Sequence, residues 1–219
     1  MIGPADSAIA KIAALSARGR DVDSMLTLYH SPDSRSSRFI WLLEELGVEY
    51  EIVYCTIARR AGGVADPKNA HPEKRVPALM HDGILVTEQA AIALYLTDAF
   101  PDAGLGVSVG ENGRAAYLSW LAFYAGEADP VYITRWLYGD RLDRFTLRDQ
   151  VRVVERVSNA LAKGPYLLGQ QFSAADILMS GPFEWDPVLV GADPAIQEWL
   201  ARIADRPAAQ RAAAKDKQS

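Results

Sequence analysis

Apolar residues first recur with a strand-like period and then with a helical one. Met25 opens the run, and Leu26 to His30 is short and bounded by Ser31-Pro32-Asp33-Ser34, which predicts a strand ending in a turn. Phe39, Ile40, Leu42, Leu43 and Leu46 repeat at spacings of three and four, the mark of a helix with one buried face, and Gly47 supplies its stop. Val48, Tyr50, Ile52 and Tyr54 alternate with Glu49, Glu51 and Val53, which predicts a strand with one polar face. Residues 58–72 read as a loop, with Gly62-Gly63, Pro67 and Pro72. The runs Val76-Pro77-Ala78-Leu79-Met80-His81 and Ile84-Leu85-Val86 flank Asp82-Gly83, a dipeptide suited to a tight hairpin turn. Residues 88–100 read as a helix carrying Ile92, Leu94, Tyr95 and Leu96.

The order over 25–100 is therefore β-α-β, a loop, then β-β-α. A helix joins the first two strands, so they are expected to be parallel; the last two form an antiparallel hairpin. A Gly- and Pro-rich break follows at 101–106, and from Glu111 onward no strand pattern recurs. Leu118, Leu121, Ala122 and Ala125 mark a long helix from about 111 to 138. Leu147, Val151, Val154, Val157 and Leu161 mark another, with shorter helices near 174–181 and 194–204. Ser173 and Asp176 fit a capping box ahead of Ile177, with Phe172 and Ile177 at the positions of a hydrophobic staple. The expected organisation is an α/β domain over 25–100, a linker over 101–110, an all-helical domain over 111–207 and a tail over 208–219. Residues 1–24 are alanine-rich, with a weak helical face of Ile9, Ile12 and Leu15 broken by Lys11. With no basic region ahead of it, this segment reads as a poorly ordered leader rather than a secretory signal.

Composition acts mainly by exclusion. The 219 residues are 49% apolar and 23% charged, which excludes disorder as the main theme. One cysteine, Cys55, rules out a disulfide framework and reads as a half-buried apolar residue. Twenty-three Lys and Arg against 28 Asp and Glu leave −5 and no basic block, which argues against nucleic-acid partners. No apolar run of about 18 residues is present, so no membrane partner is expected. His30, His71 and His81 show no metal-ligand spacing.

Five segments in order resemble the cytosolic glutathione transferases. They are Leu28 to Arg35, Trp41 to Gly47, His71 to Leu79, Thr87-Glu88-Gln89 and Tyr166 to Asp176. The resemblance spans about residues 25–207 and is closest to bacterial and fungal members with Ser-Arg at the first turn. It implies a thioredoxin-like N-terminal domain, a helical C-terminal domain, a cytoplasmic homodimer and glutathione as co-substrate. The implied second substrate is a small hydrophobic electrophile, with peroxide or disulfide reduction as further activities. A non-catalytic binding or interaction module on the same fold is the alternative.

The chemistry needs glutathione held and its thiol ionised. A free thiol has a pKa near 8.5, and a hydrogen bond to a charged group contributes about 1.5–3 kcal/mol, so one hydroxyl donor lowers that pKa by about one to two units. A helix N-terminus aimed at the sulfur adds to this. Ser34 stands where the first strand turns into the first helix. As a residue it reads first as a helix cap; the resemblance reverses this and makes it the catalytic thiol activator. Ser31, Ser36 and Ser37 are neighbours with weaker claims, and Tyr29 is the alternative, by likeness to tyrosine-type members. Arg35 either steers the anionic ligand or pairs with a carboxylate.

The resemblance also implies that Val76-Pro77 is cis and offers the Val76 backbone to the cysteinyl part of glutathione, as an added strand would. Arg75 stands where many members carry lysine and is expected to bind a glutathione carboxylate. Glu88 and Gln89 are expected at the γ-glutamyl end, Glu88 for the ammonium and the helix N-terminus for the carboxylate. Gln89 departs from the usual serine. Lys74 departs from the usual glycine and is expected to be solvated. For the electrophile, the resemblance points to the long helix: Tyr117 and Tyr124, seven apart on one face, and the nearby Trp120.

Overall fold

A computed structural model describes residues 25–58, 63–141, 144–191 and 193–217. The predicted leader over 1–24 lies outside the described residues. The N-terminal part is a four-stranded sheet of β1 (Leu26–His30), β2 (Tyr50–Tyr54), β3 (Ala78–His81) and β4 (Ile84–Thr87), in the order β2-β1-β3-β4. β1 and β2 run parallel, and β3 is antiparallel to both β1 and β4. Asp82 and Gly83 take positive φ of 49° and 77°, the left-handed pair that a two-residue hairpin turn requires.

Helix α1 (Ser37–Leu46) joins β1 to β2 and buries Phe39, Ile40, Trp41, Leu42, Leu43 and Leu46. Gly47 ends it at φ 66°, where a side chain would be strained. Helix α2 (Gln89–Ala99) follows β4. The helical part comprises α3 (Arg114–Phe123), a π-helical turn at Tyr124–Ala128, α4 (Asp129–Tyr138), α5 (Arg144–Leu161), α6 (Ala174–Trp185), α7 (Pro187–Val190), α8 (Pro194–Ala204) and α9 (Pro207–Asp216). Among the described residues no helix is long and apolar enough to cross a membrane.

Three expectations need correction. The long helix begins at Arg114 and changes winding at the π turn, so it is two α-helical stretches in one rod. The helix placed at 174–181 runs on to Trp185 through Pro182, and α7 was not foreseen. The third concerns the expected tail: residues 207–216 form α9, packed along α1. Glu44 takes Arg211 and Lys215, Glu45 takes Arg206, and the Tyr54 hydroxyl donates to the Lys215 carbonyl at 2.9 Å. Charged tethers and the small buried Ala208 and Ala212 hold it.

At the start of α6 the predicted cap forms. Asp176 accepts the Ser173 amide (3.0 Å) and hydroxyl (3.1 Å), together with the Leu167 amide and the Trp199 indole N–H. Burial pushes the Asp176 carboxyl up to about 6, although these four donors pull the other way.

Candidate active site

Residues 31–36 link β1 to α1, and their serines form a closed network. Ser34 Oγ donates to the Ser31 carbonyl at 2.6 Å and lies 2.7 Å from Ser36 Oγ. It also accepts the Ser36 amide at 3.2 Å. Ser36 Oγ lies 2.8 Å from His30 Nδ1 and accepts the Ser31 amide at 3.2 Å. The Ser37 hydroxyl accepts the Ser34 amide and bonds to the Asp216 carboxylate. Ser36, not Ser34, occupies the position ahead of α1. Ser34 is only 8% exposed, and its proton already has protein acceptors. Of the four serines, Ser31 alone has a hydroxyl without a hydrogen-bond partner among the described residues. Tyr29 sits on the opposite face of β1 from the buried Leu28 and His30.

The Val76-Pro77 bond is cis, and Val76 precedes β3 with its amide and carbonyl unpaired by the sheet. The loop before it is ordered by its own polar groups. Buried Asn69 accepts the His71 amide and donates to the Arg75 carbonyl. Lys74 was expected in solvent. Instead it holds the left-handed turn at φ 56°, with its ammonium on the Asn69 carbonyl (2.7 Å) and the Pro67 carbonyl (3.2 Å). Arg75 is exposed, reaching Glu73 and, at 3.7 Å, Glu88. Glu88 stands immediately before α2 at φ 69°, a conformation that a non-glycine residue holds only when its surroundings impose it. Gln89 follows, and its Oε1 accepts the Tyr124 hydroxyl at 2.8 Å.

That bond carries the site across to the helical part. Tyr124 is fully buried, which pushes its phenol well above the usual range, and it also lies 3.4 Å from Asp129. Asp129 grips Arg35 in a fork, with Nε at 2.9 Å from Oδ1 and Nη2 at 2.9 Å from Oδ2. The π turn separates these two residues, so it sets the register that lets both face the N-terminal part. Of the two expectations for Arg35, the carboxylate partner is present as Asp129. Contacts run continuously from Arg75 through Glu88, Gln89, Tyr124 and Asp129 to Arg35, next to Ser34.

Two expected electrophile contacts fall elsewhere. Tyr117 does share a face with Tyr124, but its hydroxyl is sealed against Thr97 of α2 at 2.9 Å, and burial pushes the phenol up to about 12. Trp120 lines a separate cleft of about 630 Å³ with Phe123, Arg156, Lys163 and Leu167. Residues not singled out in the sequence gather around Arg38 instead, with Tyr132 near both Arg35 and Arg38. Tyr132 and Trp185 have ring centroids 5.5 Å apart, and the Arg38 guanidinium lies 4.4 Å from the Trp185 ring. Arg38 occupies the space a Gly181 side chain would take: a Cβ there would lie 1.4 Å from Arg38 Nη2. The available signal was a charge on the apolar face of α1, immediately before Phe39 and one turn ahead of Leu42. Cys55 is buried rather than half-buried, and burial pushes its thiol up.

Comparison with known proteins matches two family models in chain order: the glutathione S-transferase N-terminal domain over 24–98 and the glutathione S-transferase C-terminal domain over 133–207. Glutathione S-transferase 3 of Schizosaccharomyces pombe is 28% identical, across 87% of this chain and 88% of the relative. The disulfide-bond oxidoreductase YfcG of Escherichia coli is 26% identical, across 84% of this chain and 92% of the relative. A sphingomonad glutathione S-transferase solved in complex with glutathione superposes with a TM-score of 0.74 at 27% identity, covering 88% of this chain and all of that one.

Proposed function

Because this chain belongs to the glutathione S-transferase family, we propose that it binds glutathione along Val76, Glu88 and Gln89 and ionises the thiol at the serine turn. The thiolate then attacks the electrophilic carbon of a small hydrophobic substrate; a C–S bond forms and the leaving group departs with its electron pair. The observation that carries this reading is the Tyr124–Gln89 bond. With Oε1 engaged by Tyr124, the Gln89 amide N–H₂ remains a donor at the N-terminus of α2, where backbone N–H groups favour a carboxylate. The departure from serine at this position is thus compatible with holding the γ-glutamyl end. Arg75 and Glu88, both exposed, complete a pair of opposite charges for the zwitterionic end of the peptide. The unpaired Val76 backbone offers the strand-like contact.

Ser34 is assigned to thiol activation by its place in the turn. Ser31 is the second reading, favoured by its free hydroxyl, whereas Ser34 must release an inward bond before it donates. Tyr132 and Trp185, near Arg35 and Arg38, replace Tyr117 and Trp120 as the proposed aromatic wall for the electrophile. Disulfide reduction fits the same site on one condition. The turn holds no cysteine and Cys55 is buried, so exchange must run through the sulfur of glutathione itself. The resemblance adds a homodimer and a cytoplasmic setting to the proposal.

The test is a pH titration of bound glutathione, followed by thiolate absorbance, in the native protein, Ser34→Ala and Ser31→Ala, with turnover of a generic electrophile. A native thiol ionising about one to two units below the free peptide, and one variant losing that shift, is the expected result. Glutathione that binds yet ionises as in water leaves a binding module and refutes the catalytic reading.

A further inference from the structure

We propose that Asp216, at the C-terminal end of α9, is a positioning residue for the serine turn. Through His30 and Ser36 it fixes which way the hydroxyls of that turn point. The proposal rests on the reading of residues 31–36 as the thiol-activating site.

Asp216 makes three contacts with this one turn. Its Oδ2 accepts the Asp33 amide at 3.3 Å, its carboxylate takes the Ser37 hydroxyl, and its Oδ1 lies 3.1 Å from His30 Nε2. An aspartate in the last turn of a helix faces the negative end of the helix dipole, so its own helix disfavours it there. The contacts that offset this all lie in the N-terminal part of the fold.

His30 is completely buried, edge-on to the Tyr54 ring at 5.5 Å. His30 Nε2 and Asp216 Oδ1 are both buried and lie 3.1 Å apart, a contact short of hydrogen-bond geometry, and neither has a hydrogen-bond partner elsewhere among the described residues. A carboxylate beside Nε2 favours the tautomer with its proton on that nitrogen. Nδ1 is then a bare acceptor, 2.8 Å from Ser36 Oγ, and the Ser36 hydroxyl must donate to it. Its proton being committed, Ser36 Oγ is left as an acceptor for the Ser31 amide at 3.2 Å, and the Ser34 hydroxyl, 2.7 Å away, has both Ser36 Oγ and the Ser31 carbonyl as acceptors for its one proton. Reversing the tautomer reverses the chain. Nδ1–H would donate to Ser36, and Ser36 would push its own proton toward Ser34 Oγ or the Ser31 carbonyl. The order Asp216, His30, Ser36, Ser34 is therefore a set of coupled choices with one end in α9. Asp216 touches no substrate in this scheme; it acts through His30.

The experiment has a spectroscopic arm and a kinetic arm, on the full chain. Nitrogen-15 NMR of the imidazoles reads the His30 tautomer in the free protein. The expectation is Nε2–H in the native protein, loss of that preference in Asp216→Ala, and its return in Asp216→Asn, whose carbonyl still accepts. Kinetically, Asp216→Ala is expected to shift kcat about tenfold, the scale of one charged hydrogen bond gained or lost at the thiolate. KM for glutathione should stay within about threefold, since no ligand contact is removed. The thiolate pH profile should shift in Asp216→Ala and return in Asp216→Asn. A native Nδ1–H tautomer overturns the proposal and needs no variant, so it decides even if Asp216→Ala does not fold. Asp216→Ala with native tautomer, rate and profile also overturns it. Failure of the native protein to bind glutathione strikes the proposed function instead, and the tautomer still tests whether Asp216 orients the turn.

Discussion

The Arg35–Asp129 fork ties the active turn to the helical part, and its strength is open to direct measurement. The perturbation is a double-mutant cycle of Arg35→Ala, Asp129→Ala and the pair. Two near-parallel bonds of 2.9 Å join one guanidinium to one carboxylate. A charged hydrogen bond contributes about 1.5–3 kcal/mol when shielded, and an exposed ion pair only about 0.2–1 kcal/mol. Here Asp129 is 16% exposed and Arg35 is 32% exposed, so the pair falls between those limits. The expected coupling is about 1–2 kcal/mol after discounting the Arg35 side for solvent. Urea unfolding of the four proteins measures it, with the Tyr124–Gln89 bond left in place in all of them. Additivity within about 0.3 kcal/mol would refute the clamp, because independent sites behave that way. If additivity came with a raised KM for glutathione in Arg35→Ala alone, Arg35 would be a ligand contact instead.

Three further outcomes are expected. Tyr124→Phe leaves Gln89 Oε1 unsatisfied and should raise KM for glutathione about fivefold, the equivalent of about 1 kcal/mol, with kcat little changed in steady-state assays. Ser173→Ala removes a hydroxyl from the Asp176 cap and should destabilise the fold by about 1 kcal/mol in urea titration; no change would contradict the cap. Burial raises the Glu44 carboxyl, but bonds from Lys215, Tyr50 and Arg211 outweigh it and hold the group at about 2 against an ordinary 4.5. Its contribution is therefore present above pH about 4.5 and lost as pH falls toward 2, and urea midpoints measured down that range should flatten in Glu44→Gln.

What was legible in the sequence was what local chemistry dictates. Asp82-Gly83 admits left-handed conformations, so the hairpin could be read without any tertiary knowledge. Ser173 and Asp176 satisfy a helix start from within four residues. The seven-residue spacing of Tyr117 and Tyr124 did place them on one face, and both reach α2. Their depth was not legible, because a helical period reports direction and not how close a neighbouring helix comes. Helix α9 escaped for a related reason. Its buried positions are alanines, and its other anchors are Arg206, Arg211 and Lys215, which a search for apolar periodicity scores as solvated. The partner of Arg35 lies 94 residues away, beyond any local rule. Arg38 was visible as a charge on an apolar stripe, but only the missing side chain at Gly181 explains where it goes.

The contact between the Asp33 amide and Asp216 spans 183 residues of chain. A ribosome adds about 5–20 residues per second, so the serine turn exists for about ten to forty seconds before its latch has been synthesised. During that interval the nascent sheet carries β1 and α1 with no α9 along α1, leaving Glu44 and Glu45 without their basic partners. Newly made protein therefore passes through a stage in which the Asp33 amide and His30 lack the Asp216 carboxylate.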